Sequence, residues 1–201
     1  MLRIFYKERL IKNDNILVSG PPRVSNTFVG RVLYKTQKNL LFVNHFHSPG
    51  QVINAFNQDI PSIIIIRDPI DTAVSLCIKY PKLYPWVAIQ HYNLYYKSLL
   101  NYKNKFILID FETMKEDFNK VIEKFNSKYG SKLKLKEIND FKSLEQEIFD
   151  SMRITGLPNG NLEMEISAPT KEKENLKPKV REIIKKQFNL RTAKKIYQLI
   201  H

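Results

Sequence analysis

Asn15-Ile-Leu-Val-Ser-Gly-Pro-Pro-Arg-Val-Ser-Asn-Thr-Phe28 decides the fold. The apolar run from Ile16 to Val18 is stopped by Gly20-Pro21-Pro22, and Phe28, Val29, Val32 and Leu33 then recur at helical spacing. The segment therefore reads as a buried strand, a tight loop and a helix over residues 25–35. Outward from it the same alternation continues. Residues 40–43, 62–66 and 105–109 are short apolar runs. The second is β-branched at consecutive positions, as a central parallel strand buried on both faces requires. Helical patterns cover residues 51–57, 86–100, 114–129, 140–152 and 176–200, the last broken near Asn189. Asp68-Pro69 opens another through Lys79, proline being suited to a first helical turn. Residues 81–85 and 156–160 are loops. Strands alternating with helices predict an α/β domain, three layers α/β/α around a mainly parallel sheet, P-loop NTPase-like in plan. One domain spans residues 1–201, with a cofactor-binding part at about 14–115 and a helical C-terminal part at about 130–201.

Composition bounds the function. A chain of 201 residues with 43% apolar content buries a sizeable core. One cysteine excludes an internal disulfide framework and a multi-Cys zinc site, and fits a reducing compartment. No apolar run approaches the roughly 20 residues of a membrane helix, and charges at Arg3, Lys7 and Glu8 interrupt any signal-like start. The expectation is a soluble, cytoplasmic protein with no membrane partner. The net charge is +13, but of 33 cations only 8 are arginine. A lysine-rich solvated surface with attraction for small polyanions explains this better than nucleic-acid binding, for which the forked guanidinium is the better tool.

Two segments carry chemistry. Gly20-Pro-Pro-Arg-Val-Ser-Asn-Thr27 lies between a strand and a helix N-terminus, where free backbone N–H groups attract an anion. Its spacing is close to Gly-x4-Gly-Lys-Ser/Thr, but Ser25 stands for the second glycine and Asn26 for the lysine that reaches a triphosphate. Arg23 supplies a cation earlier in the loop. The second segment is Arg67-Asp-Pro-Ile-Asp-Thr-Ala-Val-Ser75. Arg67 ends the central strand, where open α/β sheets place ligands, and Ser75 lies about two helical turns on, able to share a phosphate with it. Asp68 also reads as a helix cap.

Together these segments resemble sulfotransferases that use 3′-phosphoadenosine 5′-phosphosulfate (PAPS). Pro22-Arg23-Val24-Ser25-Asn26-Thr27 is similar to the family's 5′-phosphosulfate loop, Pro-Lys/Arg-Ser-Gly-Thr/Ser-Thr, at Pro, Arg and the final Thr. Arg67, Pro69 and Ser75 match its 3′-phosphate motif, Arg-x-Pro-x5-Ser. The departures are Ser25 for the loop glycine and Val43 for the lysine before the family's histidine. Asp110-Phe-Glu-Thr-Met114 resembles Tyr-Glu-Asp-Leu, which implies that Phe111, like Phe28, lies near the adenine. The resemblance implies sulfuryl transfer from PAPS to a small-molecule or carbohydrate hydroxyl, without a metal. Cofactor contacts fall to Pro22, Arg23, Val24, Ser25, Asn26, Thr27, Phe28, Arg67, Ser75 and Phe111. Arg23 steadies the leaving oxygen and a histidine is the base.

His45 stands 22 residues before Arg67, the family spacing, and is preferred as that base; His47 is the competitor. His91 and His201 read as packing or solvent residues, and Tyr92, Tyr95 and Tyr96 as core, with Trp86 grouped among them. Pro169-Thr-Lys-Glu-Lys173 reads as a solvated loop, with a basic lid as its alternative. Two rival functions remain. One is a P-loop kinase or NTPase, with Asp110 as its Mg²⁺ ligand; the other is a non-catalytic nucleotide or polyanion module. A thermal-shift comparison separates them. Because the triphosphate lysine is missing, 3′-phosphoadenosine 5′-phosphate (PAP) should raise the melting temperature well above the shift given by ATP with Mg²⁺. The reverse order selects the kinase reading.

Overall fold

A computed structural model of the chain describes residues 15–37, 40–43, 47–130, 133–154 and 170–200. Four strands form one sheet: β1 (Asn15–Ser19), β2 (Leu41–Val43), β3 (Ser62–Ile66) and β4 (Ile107–Asp110). Their order is β2-β1-β3-β4 and every pairing is parallel, with Ser19 opposite Ile64 and Ile66 opposite Asp110. The chain leaves β1 toward β2 and returns to β3 on the other side. The carboxyl ends of β1 and β3 therefore flank the topological switch point, where such sheets open a crevice.

Helices cover both faces. Strand residues alternate between them, as the two-residue period of a strand requires. Ile16, Val18, Ile63, Ile65, Ile107 and Ile109 pack on one side with α1 (Asn26–Thr36), α5 (Phe111–Glu116), α6 (Asn119–Tyr129) and α7 (Phe141–Ile154). Leu17, Ile64 and Ile66 pack on the other. That side holds α2 (Pro49–Asn57), α3 (Pro69–Lys79), α4 (Pro85–Leu99), α8 (Lys171–Lys185) and α9 (Leu190–Ile200). All five residues of β3 are buried, as its β-branched run predicts.

The single helix expected over residues 114–129 is instead two. Asp117 is extended at φ −154°, its carboxylate accepts the Asn119 N–H, and the break lets Phe118 drop fully into the core. The C-terminal helix begins earlier than expected. Thr170 caps it by accepting from the Lys173 N–H, and Glu172 and Glu174 lie in a first turn whose dipole favours carboxylates. The break near Asn189 falls where expected, between α8 and α9. The loop expected at residues 156–160 lies outside the described residues.

The tyrosines of α4 do more than fill the core. Tyr96 donates its hydroxyl proton to the Ile65 carbonyl at 2.6 Å, Tyr92 donates to the Arg67 carbonyl at 3.0 Å, and Tyr95 shares a 2.7 Å hydrogen bond with Ser19. Burial pushes all three phenols well above their ordinary range, so they remain protonated. Removing the Tyr96 hydroxyl leaves a buried carbonyl without that donor. Tyr96→Phe should therefore cost about 1–2 kcal/mol, read as a lower urea midpoint with an unchanged slope. An unchanged midpoint would show that the bond carries no net stability.

Candidate functional site

The loop after β1 is shaped by close approach. A Cβ at Gly20 would sit 2.8 Å from the Ile65 carbonyl oxygen and 2.5 Å from Val24, so only glycine lets the chain turn this tightly across β3. Arg23 and Ser25 then adopt left-handed backbone, at φ 76° and 83°. Ser25 holds the conformation that glycine adopts without strain. Asn26 is buried and donates to the carbonyls of Gly20, at 2.8 Å, and Pro21, at 3.3 Å. The side chain in the lysine's place thus braces the loop.

His47 follows β2 and its Nδ1 lies 2.9 Å from the Gly20 carbonyl oxygen. A carbonyl only accepts, so Nδ1 carries the proton and Nε2 is the basic nitrogen. The 3.4 Å separation of His47 Nδ1 from Asn26 Nδ2 follows, since both donors converge on one carbonyl. His45 lies outside the described residues. His91, half-buried on α4, feels His47: burial, then that neighbour, pushes its imidazole below the ordinary value.

Arg67 leaves β3 beside this loop. Its Nη1 donates to the Arg23 carbonyl at 3.4 Å, and its guanidinium lies 4.2 Å from the centre of the Phe111 ring. Arg23 Nε donates to Ser75 Oγ at 3.1 Å. Asp68 caps α3 by accepting from the N–H groups of Ile70 and Asp71, so it is structural as its cap reading has it. Burial lowers the pKa of both arginines. Arg67 adds to this for Arg23, while Asp71, Glu112 and Asp68 oppose it for Arg67. The Arg67 Nε is buried without a hydrogen-bond partner. Two half-buried guanidiniums and an orphaned donor make a site that fits an anion.

These groups line a cavity of about 600 Å³, within the range of ligand sites. Pro22, Arg23, Ser25, Asn26, Thr27, Phe28, Arg67, Ser75 and Phe111 are all on its wall, and so is His47. Val24 is not: its side chain is fully buried in the core, leaving only its backbone toward the loop. Phe28 stacks on Phe149 of α7 at 5.3 Å between ring centres and meets Phe141 edge-on, so α7 roofs it. Lys173, expected in a solvated loop with a basic lid as the alternative, is on the cavity wall. It is 6% exposed and, with Lys177, brings α8 to the cavity from the far end of the chain. The signal was there in Thr170, whose capping turns the expected solvated loop into the first turn of α8.

Asp110, the carboxylate on which a kinase would depend, is spent on structure. One oxygen accepts the Glu112 N–H and the other accepts the Tyr197 hydroxyl at 2.7 Å. Among the described residues no group of three or more His, Cys, Asp or Glu side chains could hold a metal ion.

Ser25 makes no side-chain capping bond, so its left-handed strain is uncompensated. Ser25→Gly should raise stability by about 0.5–1 kcal/mol and the melting temperature by about 1–4 °C. A lower melting temperature would assign the serine a stabilising contact.

No family model matches the sequence, and no curated protein matches it. Among solved structures the chain is similar to mouse sulfotransferase SULT7A1 complexed with PAP. The TM-score is 0.53 at 14% identity, over 94% of this chain and 90% of that one. The chain has the α/β fold of a sulfotransferase.

Proposed function

We propose that this protein is a PAPS-dependent sulfotransferase acting on a hydroxyl acceptor. One observation carries the reading: Arg23 of the β1 loop and Ser75 of the β3 segment meet at 3.1 Å, so the two phosphate-binding segments share one cavity. Arg67 and Ser75 would hold the 3′-phosphate, with Lys173 and Lys177 closing over it from α8. The loop N–H groups and Thr27 at the N-terminus of α1 would hold the 5′-phosphate. Phe111, and the small part of Phe28 left uncovered by Phe149 and Phe141, would give the adenine aromatic surface.

In the reaction the acceptor oxygen attacks sulfur in line with the bond to the 5′-phosphate oxygen. The S–O bond to the acceptor forms as the bridging S–O bond breaks, and PAP leaves with the bonding electrons. Arg23 offsets the charge that develops on the bridging oxygen. The acceptor proton passes to a histidine. His45 has the family spacing to Arg67; His47 has its Nε2 lone pair set by the Gly20 carbonyl and a place on the cavity wall. The cations around the leaving oxygen do the work that a metal does for a phosphoryl group.

Calorimetry should give PAP a clear preference over 5′-AMP, and Arg67→Ala should weaken PAP binding about 10–150-fold, the equivalent of a lost charge-assisted hydrogen bond. Equal affinity for the two nucleotides would refute the 3′-phosphate assignment. With PAPS as donor, alanine at the base should lower turnover about 10²–10⁴-fold while PAP affinity stays within about twofold. Comparing His45→Ala with His47→Ala identifies the base. Tight PAP binding with no turnover of PAPS in the unaltered protein would select the binding-module reading instead.

A further inference from the structure

Carboxylates are absent from two long stretches of the chain. Residues 72–109 and 183–200 carry ten Lys and Arg and no Asp or Glu, in a protein with 20 acidic residues. The fold joins these stretches into one face. Asn189, at the α8–α9 corner, donates to the Trp86 carbonyl at 2.8 Å and accepts from Asn93 at 3.2 Å. Lys103, on the 3₁₀ turn (Leu100–Lys105) that follows α4, donates to the Leu199 carbonyl near the end of α9. Thus α9 runs alongside α4.

The face also carries exposed apolar side chains. Among the described residues, seven of the nine exposed large hydrophobic side chains lie on these two stretches. Phe188 in the α8–α9 corner is 82% exposed, and at the start of α4, to which Asn189 of that corner bonds, Tyr84 is 70% and Trp86 44% exposed. Leu94, Ile183 and Leu199 add aliphatic surface. Lys82, Lys97, Lys186, Arg191, Lys194 and Lys195 stand exposed among them. Lys185 and Lys105 pair with Glu182 and Asp59 at the margins.

We infer that this face, built from α4, the α8–α9 corner and α9, docks on an anionic lipid bilayer. Aromatic and aliphatic side chains standing out of a cationic face have the chemistry of an interfacial anchor. The rings and methyl groups enter the headgroup boundary while the ammonium groups meet acidic headgroups. Nine of the ten cations are lysine, and the aliphatic members have no base to stack on. Both points favour lipid over nucleic acid. No helix among the described residues is long and apolar enough to cross a membrane, and surface docking needs none. The inference stands apart from the sulfuryl-transfer reading.

Trp86 is the only tryptophan in the chain and reports directly on the face. Added to vesicles of phosphatidylcholine with 30 mol% phosphatidylserine, the full-length protein should float with the lipid and its tryptophan emission should shift to the blue. Pure phosphatidylcholine vesicles should give at least tenfold weaker partitioning, and 0.5 M salt should reduce binding to the acidic vesicles similarly. Phe188→Ser with Leu199→Ser, and separately Arg191→Glu with Lys195→Glu, should each weaken partitioning about tenfold or more at exposed positions that leave the melting temperature unchanged. No flotation and no blue shift overturns the inference in the unaltered protein, whatever the variants do. Equal binding to neutral vesicles overturns it, as does a tryptophan response to polyuridylate but not to vesicles. Variants that bind like the parent overturn it too.

Discussion

Like charges held side by side at the carboxyl ends of β1 and β3 are the constraint around which the rest is arranged. Arg23 and Arg67 repel, and their withdrawal from solvent makes each less comfortable as a cation. Such a pair persists only where the surroundings over-determine it. Three supports do so. The parallel register of β1 and β3 brings the two strand ends together. The Arg23 backbone turns left-handed and offers its carbonyl to Arg67. Asp68 and Asp71 lie within reach on α3.

The α4 tyrosines extend that support beneath the site. Their hydroxyls grip Ser19, the Ile65 carbonyl and the Arg67 carbonyl, the residues from which the two loops depart. The groups that line the cavity thus rest on buried bonds, the preorganisation that a charge-stabilising site needs. From the opposite side α8 locks against α3 through the Arg181–Asp71 ion pair and carries Lys173 to the cavity. The C-terminal third therefore closes the site and supplies half of the cationic face.

Local rules were enough wherever one segment sufficed. The β-branched run at residues 62–66 specifies a strand buried on both faces, Asp68-Pro69 a capped helix, and Gly20-Pro-Pro a turn, because each signal depends on a few consecutive residues. The motif residues were legible for the same reason. Spacing along one strand–loop–helix determines which side chains reach its end, and nearly all of them stand on the cavity wall. Asn26 and Asp110 were legible only as residue types. That both are consumed by structural bonds depends on partners 6 and 87 residues away.

Sequence alone thus determined the alternation of strands and helices, the two loop segments that carry the cavity's arginines and the missing triphosphate lysine, because these follow from local periodicity and side-chain chemistry. Tertiary structure decided the meeting of Arg23 with Ser75, the tautomer of His47, the burial of Val24 and Lys173, and the merging of two carboxylate-free stretches into one face. Those outcomes depend on strand order and helix packing, which bring together residues that no local spacing relates.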